Sequence, residues 1–308
     1  MRLLFMGSPG LAVPALEATF ASGDLVGVVT QPPRKKGRGL KVVSSPVALR
    51  ALQLGFEPVT PSSVRDKNFQ AFLLDLHPDL VVVMAYGKIL PPEVLAIPRL
   101  GCINIHTSLL PELRGAAPIQ WAIARGYTAT GVTLMQMDEG MDTGPILLQK
   151  NVEIGPNETS EQLGKRLACL AAETLLEGIP ALAGGELRPE PQDDSRATYA
   201  PMLTRKDGRI NWSMDSRTIA ARMRGFFPWP GAFTTRAGRR LRVTAAVPMA
   251  GKGSPPGTIM RTGEDGIEIA CGTGSLMVSR LCPEGKREMG ATEFISGYRP
   301  MPGERLGG

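Results

Sequence analysis

The run Leu80-Val81-Val82-Val83-Met84 contains no polar residue. A strand that is apolar on both of its alternating faces has to be covered on both sides, and parallel strands joined by helices are the arrangement that does this. The flanking sequence supplies the other parts of such a sheet. Residues 2–6 form a short apolar strand, and Gly7-Ser8-Pro9-Gly10 a tight turn. A helix follows to about Ser22, with Pro14 tolerated in its first turn. Residues 25–30 form a second strand. Helices at 46–54 and 69–76 alternate with a short strand near 58–59, and Ser160–Ala183 reads as a long helix with Thr159 or Ser160 as its N-cap and Gly184-Gly185 as its stop. The expected first domain is therefore α/β, a Rossmann-like and mostly parallel sheet. Its first turn is not G-x-G-x-x-G, and no acid ends the second strand where a ribose hydroxyl would need one, so no dinucleotide is expected.

From Gly208 onward the pattern changes. Short β segments at 241–247, 257–260, 266–270 and 275–281 alternate with Gly/Pro turns, which predicts a small antiparallel, five-stranded OB-like β-barrel. With 308 residues the chain exceeds one typical domain. The expected division is 1–189, a Pro- and acid-rich linker at 190–206, and 207–308. No run of 18 apolar residues is present, and the N-terminal apolar stretch is too short for a signal peptide, so neither a membrane span nor export is expected. The four cysteines are far apart and there are only two histidines, which points to a reducing cytoplasm and away from disulfides or a metal. His77, just before a proline, reads as a helix-end residue.

Net charge is +6, unevenly placed. Residues 207–308 hold 15 Lys/Arg against 9 Asp/Glu, whereas the first 206 hold 20 of each. Within that balanced part, residues 31–50 carry Arg34, Lys35, Lys36, Arg38, Lys41 and Arg50 with no acid. Residues 31–45 lack hydrophobic periodicity and read as a long loop, of a length usually kept for a purpose. Two separated basic zones fit a polyanion lying across both.

The chemistry concentrates in residues 101–118, G-C-I-N-I-H-T-S-L-L-P-E-L-R-G-A-A-P. Cys102–His106 reads as a strand, so Asn104 and His106, two apart, share a face. An amide donor and an imidazole then stand side by side at a strand's C-terminal end, where open α/β sheets bind ligands. A Gly-rich acidic loop follows at 137–145, M-D-E-G-M-D-T-G-P, whose Asp142 can orient the imidazole. Ser108 has no second histidine to act as its base, which argues against Ser-hydrolase chemistry.

N-x-H-x-S-L-L-P-x-x-R-G-A-A-P-I with a downstream D-x-G resembles the 10-formyltetrahydrofolate-dependent formyltransferases, and R-G-A-A-P-I is most similar to the members that formylate methionyl-tRNA. The resemblance covers most of the chain. It implies a one-carbon transferase that takes 10-formyltetrahydrofolate as co-substrate, without a metal, and passes the formyl group to initiator methionyl-tRNA; a sugar nucleotide or glycinamide ribonucleotide is the alternative acceptor. It also implies a cytoplasmic monomer. Asn104, His106 and Asp142 would be catalytic. Ser108, Leu109, Leu110 and Pro111 would contact the folate, with Tyr86 and Gly87 walling the pteridine. Arg34, Lys35, Lys36, Arg38, Lys41 and Arg205 would meet the tRNA. The match departs at Gly10 and Leu11, where the family commonly has an acid and a Phe, and at Glu112, which replaces a frequently basic residue.

Overall fold

A computed structural model of the chain describes residues 1–36, 41–251 and 253–307, and of residues 34–36 and 41 the backbone alone. In chain order the first elements are β1 (Arg2–Gly7), α1 (Val13–Ala21), β2 (Asp24–Val29), β3 (Arg34–Lys36), β4 (Lys41–Val43), α2 (Pro46–Gln53), α3 (Lys67–Leu76) and β5 (Leu80–Met84). They are followed by α4 (Pro92–Leu95), β6 (Cys102–His106), α5 (Pro118–Ala124), β7 (Ala129–Gln136), β8 (Ile146–Glu153) and α6 (Ser160–Ala183). Six strands form one sheet in the order β2-β1-β5-β6-β7-β8. The first four are parallel, and β7 and β8 extend the sheet antiparallel beyond β6. Every residue of β5 is buried, as its uninterrupted apolar run requires.

Side chains of alternate parity fill the two faces. Leu4, Met6, Val81, Val83 and Cys102 join Phe69, Leu73, Leu90 and Val94 in one cluster. On β7, the Leu134 side chain lies against Gly178 of α6, where a Cβ would come within 2.5 Å of it. The winding order of the parallel strands reverses between β1 and β5, so their carboxyl ends border that switch point, with β6 next beyond β5. His77 closes α3 in the left-handed conformation, as a helix-end residue does.

The stretch 31–45 departs from the loop expected of it. Among the described residues β3 and β4 pair antiparallel, Arg34 opposite Val43 and Lys36 opposite Lys41. Of its side chains that are described, Val42 and Val43 are exposed. The sequence of these strands, R-K-K and K-V-V, carries no alternation of apolar and polar residues, and backbone pairing is what identifies them. Arg38 lies outside the described residues, as do the side chains of Arg34, Lys35, Lys36 and Lys41.

The second half comprises α7 (Ser216–Gly225), β9 (Phe233–Arg236), β10 (Arg239–Met249), β11 (Ile259–Gly263), β12 (Gly266–Ala270), β13 (Ser275–Pro283), β14 (Met289–Gly290) and α8 (Ala291–Tyr298). The five strands run β11-β12-β13-β10-β9, all antiparallel, and β14 adds to β13. Register shifts in β10 at Val243 and Ala245 let this long strand turn with the sheet. Trp212, Ile219, Leu241, Val243, Ile267, Leu276, Val278 and Phe294 make its core, and the Trp212 indole N–H donates to Thr234 Oγ1 at 3.0 Å. The two units that result are discontinuous in sequence. One comprises Met1–Pro118, Ala129–Glu153 and Leu163–Pro201; the other comprises Ile119–Thr128, Ile154–Gln162 and Met202–Gly308. The segment 190–206 is thus shared, with residues through Pro201 folding in the first unit. No helix among the described residues is long and apolar enough to cross a membrane.

Candidate active site

β6 carries the central side chains. Cys102, Asn104 and His106 alternate with Ile103 and Ile105, and Asn104 is the half-buried member of an otherwise buried strand. Among the described residues no hydrogen-bond partner falls to the Asn104 side-chain amide, so its donors are available. Burial pushes the Cys102 thiol up to about 12, which leaves it a neutral core group and no nucleophile.

The His106 ring is anchored through Nε2. Nε2 lies 3.0 Å from the Leu113 carbonyl oxygen. A carbonyl only accepts, so Nε2 carries hydrogen, and Nδ1 is the nitrogen left for chemistry. Nδ1 faces Asp142 Oδ1 at 3.7 Å, with side-chain exposures of 8% and 17%. That separation is an ion-pair distance, longer than a hydrogen bond, as catalytic pairs often are before substrate arrives. The other carboxylate oxygen of Asp142 accepts from the Gly115 N–H at 2.8 Å. The structure thus brings His106 of the strand and Asp142 of the acidic loop together.

Asp142 itself (φ 57°) and Leu113 (φ 60°), whose carbonyl meets His106, are non-glycine residues with left-handed backbone, as is Ala85 (φ 49°) at the end of β5. Such conformations cost free energy and persist where surrounding contacts impose them. For Leu113 and Asp142 those contacts come from residues 190–200. Glu190 pairs with Ile146 and Tyr199 with Arg114. The Leu113 N–H donates to Thr198 Oγ1 at 2.8 Å. Gly115 (φ 111°) lies so close beneath Tyr199 that a Cβ would come within 2.6 Å of the ring. Gln192 donates to the carbonyl oxygens of Asp142 and Gly144 at 2.9 and 2.7 Å.

The turn at 108–111 is held from the opposite strands. Thr133, cross-strand from His106, donates its hydroxyl to the Ser108 carbonyl at 2.7 Å and accepts from the Leu110 N–H at 3.1 Å. Gln149 donates to both the Leu110 carbonyl and Thr133 Oγ1. Ser108, Leu110 and Pro111 are buried and Leu109 is half-exposed; the Ser108 hydroxyl donates to the Glu112 carbonyl at 2.6 Å. Gly131 makes room for Leu109, whose Cδ2 would lie 2.6 Å from an added Cβ. Tyr86 points inward: it is 2% exposed and belongs to the sheet core, where burial pushes its phenol up to about 12. What the Tyr86-Gly87 turn offers a ligand is backbone, since the ring is withdrawn. The Tyr86 carbonyl accepts from Gln31 Nε2, and Gly87 (φ 80°) is exposed. Arg205 is exposed in a short 3-10 turn of the second unit.

Sequence reasoning missed Leu113, Thr133, Gln149, Gln192 and Thr198. Leu113 stands at a variable position of the N-x-H-x-S-L-L-P-x-x-R-G-A-A-P-I motif, Thr133 and Gln149 read as ordinary strand residues, and Gln192 and Thr198 as linker. Among the described residues no group of three or more His, Cys, Asp or Glu side chains is placed to hold a metal.

Comparison with known proteins bears on the family and the fold. The formyl transferase family model matches residues 9–179, and the model for the formyl transferase C-terminal domain matches residues 202–299. A solved N-formyltransferase from Helicobacter canadensis, in complex with folinic acid and dTDP-3-aminofucose, covers 90% of this chain and 99% of its own, with a TM-score of 0.67 at 17% identity. HypX from Aquifex aeolicus in complex with tetrahydrofolic acid gives a TM-score of 0.62 at 17% identity; 97% of this chain spans about half of that protein, 47%. These two share the fold. Sequence relatives are nearer. The methionyl-tRNA formyltransferase of Myxococcus xanthus is 48% identical over 304 residues, 99% of this chain and 97% of that protein. That of Geobacter metallireducens is 46% identical over 308 residues, 100% of this chain and 99% of that protein. Identity of that order along the whole length, across a strand, an acidic loop and a C-terminal antiparallel sheet arranged as described, means that the chain belongs to the methionyl-tRNA formyltransferase family.

Proposed function

We propose that this chain transfers the formyl group of 10-formyltetrahydrofolate to the α-amino group of initiator methionyl-tRNA. The observation that carries the chemistry is the His106–Asp142 pair, with Nε2 committed to Leu113 and Nδ1 facing the carboxylate at 3.7 Å. The acceptor rests on the chain-long identity with methionyl-tRNA formyltransferases.

In this reading the amine nitrogen attacks the formyl carbon, and the carbonyl electron pair moves to oxygen. The side-chain N–H of Asn104 donates to that oxyanion; removing one such donor typically costs about 3–4 kcal/mol of transition-state stabilisation. The amine gives up a proton to Nδ1 of His106, and Asp142 stabilises the imidazolium that results. The oxyanion then collapses, the bond from the formyl carbon to the folate N10 breaks, and N10 takes the proton from Nδ1. One C–N bond forms, one breaks, and a single proton moves from amine to leaving nitrogen. Neither Ser108 nor Cys102 is needed as a nucleophile. Leu109 and the backbone of 108–111 and 86–87 would contact the folate.

Arg34, Lys35, Lys36, Arg38 and Lys41, together with Arg205 and the excess cations of residues 207–308, would meet the tRNA phosphates. The chain would work as a monomer, and four free cysteines suit the reducing cytoplasm. An acceptor assay tests the proposal. With 10-formyltetrahydrofolate supplied, charged initiator tRNA is expected to be formylated, and glycinamide ribonucleotide and amino-sugar nucleotides are not. Faster transfer to either small acceptor would contradict it.

A further inference from the structure

The side chain of Gln192 spends all of its hydrogen-bonding groups on two elements of the site. Its amide nitrogen donates to the Asp142 carbonyl at 2.9 Å and to the Gly144 carbonyl at 2.7 Å. Its amide oxygen accepts from Arg114 Nε at 3.1 Å and from Arg114 Nη2 at 2.8 Å. Arg114 is only 12% exposed, and Nη2 also donates to Asp194 Oδ1 at 2.7 Å. The segment that carries Gln192 is itself fixed, since Asp193 accepts from the Ser195 N–H and hydroxyl and Glu190 pairs with Ile146. One half-buried amide therefore ties the loop bearing Asp142 to the arginine of R-G-A-A-P, two segments that flank His106.

We propose that Gln192 is a positioning residue for the transfer reaction: it holds Asp142 in its left-handed backbone conformation and thereby sets the carboxylate against His106 Nδ1. Three features make the amide specific. A left-handed non-glycine residue needs an external restraint, and the restraint found here is on Asp142's own carbonyl. The two acceptors on the loop are carbonyls, so the group facing them must donate twice. The group facing Arg114 must accept. Among side chains of this length only glutamine does both. Glutamate would keep the bond to Arg114 and set a carboxylate oxygen against two carbonyls; methionine would keep the length and make none of the bonds.

The inference rests on Asp142 being catalytic, and its test separates the two. With the full-length protein, 10-formyltetrahydrofolate and charged initiator tRNA, kcat and KM are measured for wild type, Gln192→Glu, Gln192→Met, Asp142→Asn and the corresponding double variants, alongside Tm. Gln192→Glu and Gln192→Met are each expected to lower kcat about tenfold with KM for the folate changed less than about twofold. On the Asp142→Asn background the same substitutions are expected to lower kcat by less than about twofold, because the group they position is already neutral. Losses that multiply in the double variants would overturn the proposal. So would single variants with lowered Tm and wild-type kcat, which would make Gln192 a structural brace. If Asp142→Asn alone keeps wild-type kcat, the catalytic reading of Asp142 fails first and the role of Gln192 falls with it. Gln192→Met keeps the test open should the charge of glutamate prevent folding.

Discussion

The turn at 108–111 and the loop at 138–144 both border His106, and they are held in contrasting ways. The turn is gripped by Thr133 and Gln149, side chains of regular strands whose backbones are already paired across the sheet. The Thr133 hydroxyl is buried and uses its donor and both of its lone pairs there. The loop lies at the end of the same strands, yet its conformation depends on Gln192, a residue 50 positions further along the chain in a segment with no strand or α-helix of its own. The sheet therefore fixes the turn proposed to hold the folate, and a strap fixes the acid proposed to work with His106. Binding and chemistry are supported by different parts of the fold, and substitutions should separate them.

The largest effect on this comparison is expected from the loop. Asp142→Asn keeps the acceptor for the Gly115 N–H but removes the charge facing Nδ1, so kcat should fall at least about thirtyfold, with KM for 10-formyltetrahydrofolate nearly unchanged. Steady-state kinetics with varied folate reads both quantities; a raised KM with intact kcat would place Asp142 on the binding side and erase the distinction.

Thr133→Val should do the reverse. It preserves shape but removes a hydroxyl that makes three hydrogen bonds, leaving the Leu110 N–H and the Ser108 carbonyl unpaired in a buried place at a cost of about 1–3 kcal/mol. The turn loosens, so KM for the folate should rise about tenfold while kcat stays within about threefold. Equal losses in kcat and in affinity would mean that turn and loop form one unit.

The smallest effect comes from a pair that touches neither segment. Arg236 makes two parallel bonds to Glu304, at 2.7 and 2.9 Å, and these hold the Glu304 carboxyl below its ordinary value against the opposing effect of burial. An acid lowered in the folded state contributes stability above the ordinary carboxylate range and loses it as pH falls through the lowered folded value. Glu304→Gln should therefore destabilise the second unit by about 1 kcal/mol at neutral pH. The difference from wild type should shrink in acid, and kcat per folded molecule should stay unchanged. Denaturant titrations at several pH values would detect it, and a loss that grows in acid would contradict the sign.

The contrast between turn and strap also explains what could be read without coordinates. Leu80–Met84 and Cys102–His106 are local statements: an apolar run needs two covers, and residues two apart share a face. They placed the strands and the Asn104/His106 pair directly. Asp142 was legible because acid and glycine cluster in one short loop between two β patterns. Gln192 was not, since Pro-Gln-Asp-Asp reads as linker, and what makes it matter is closure onto carbonyls that are distant in sequence. The orientation of the Tyr86 ring was not legible, for a related reason. The position of its turn at a strand end was visible, but the inward direction of its ring follows from how neighbouring helices cover the sheet. The β3–β4 ribbon escaped because R-K-K and K-V-V print no alternating period.

The most direct test is the single-turnover rate of formyl transfer to charged initiator tRNA by His106→Ala, measured with saturating 10-formyltetrahydrofolate beside a direct measurement of folate affinity. With Nδ1 removed, the rate is expected to fall at least about a hundredfold while folate affinity stays within about threefold of wild type. A variant that transfers the formyl group within about threefold of the wild-type rate would contradict the assignment of His106, and with it the site built around it.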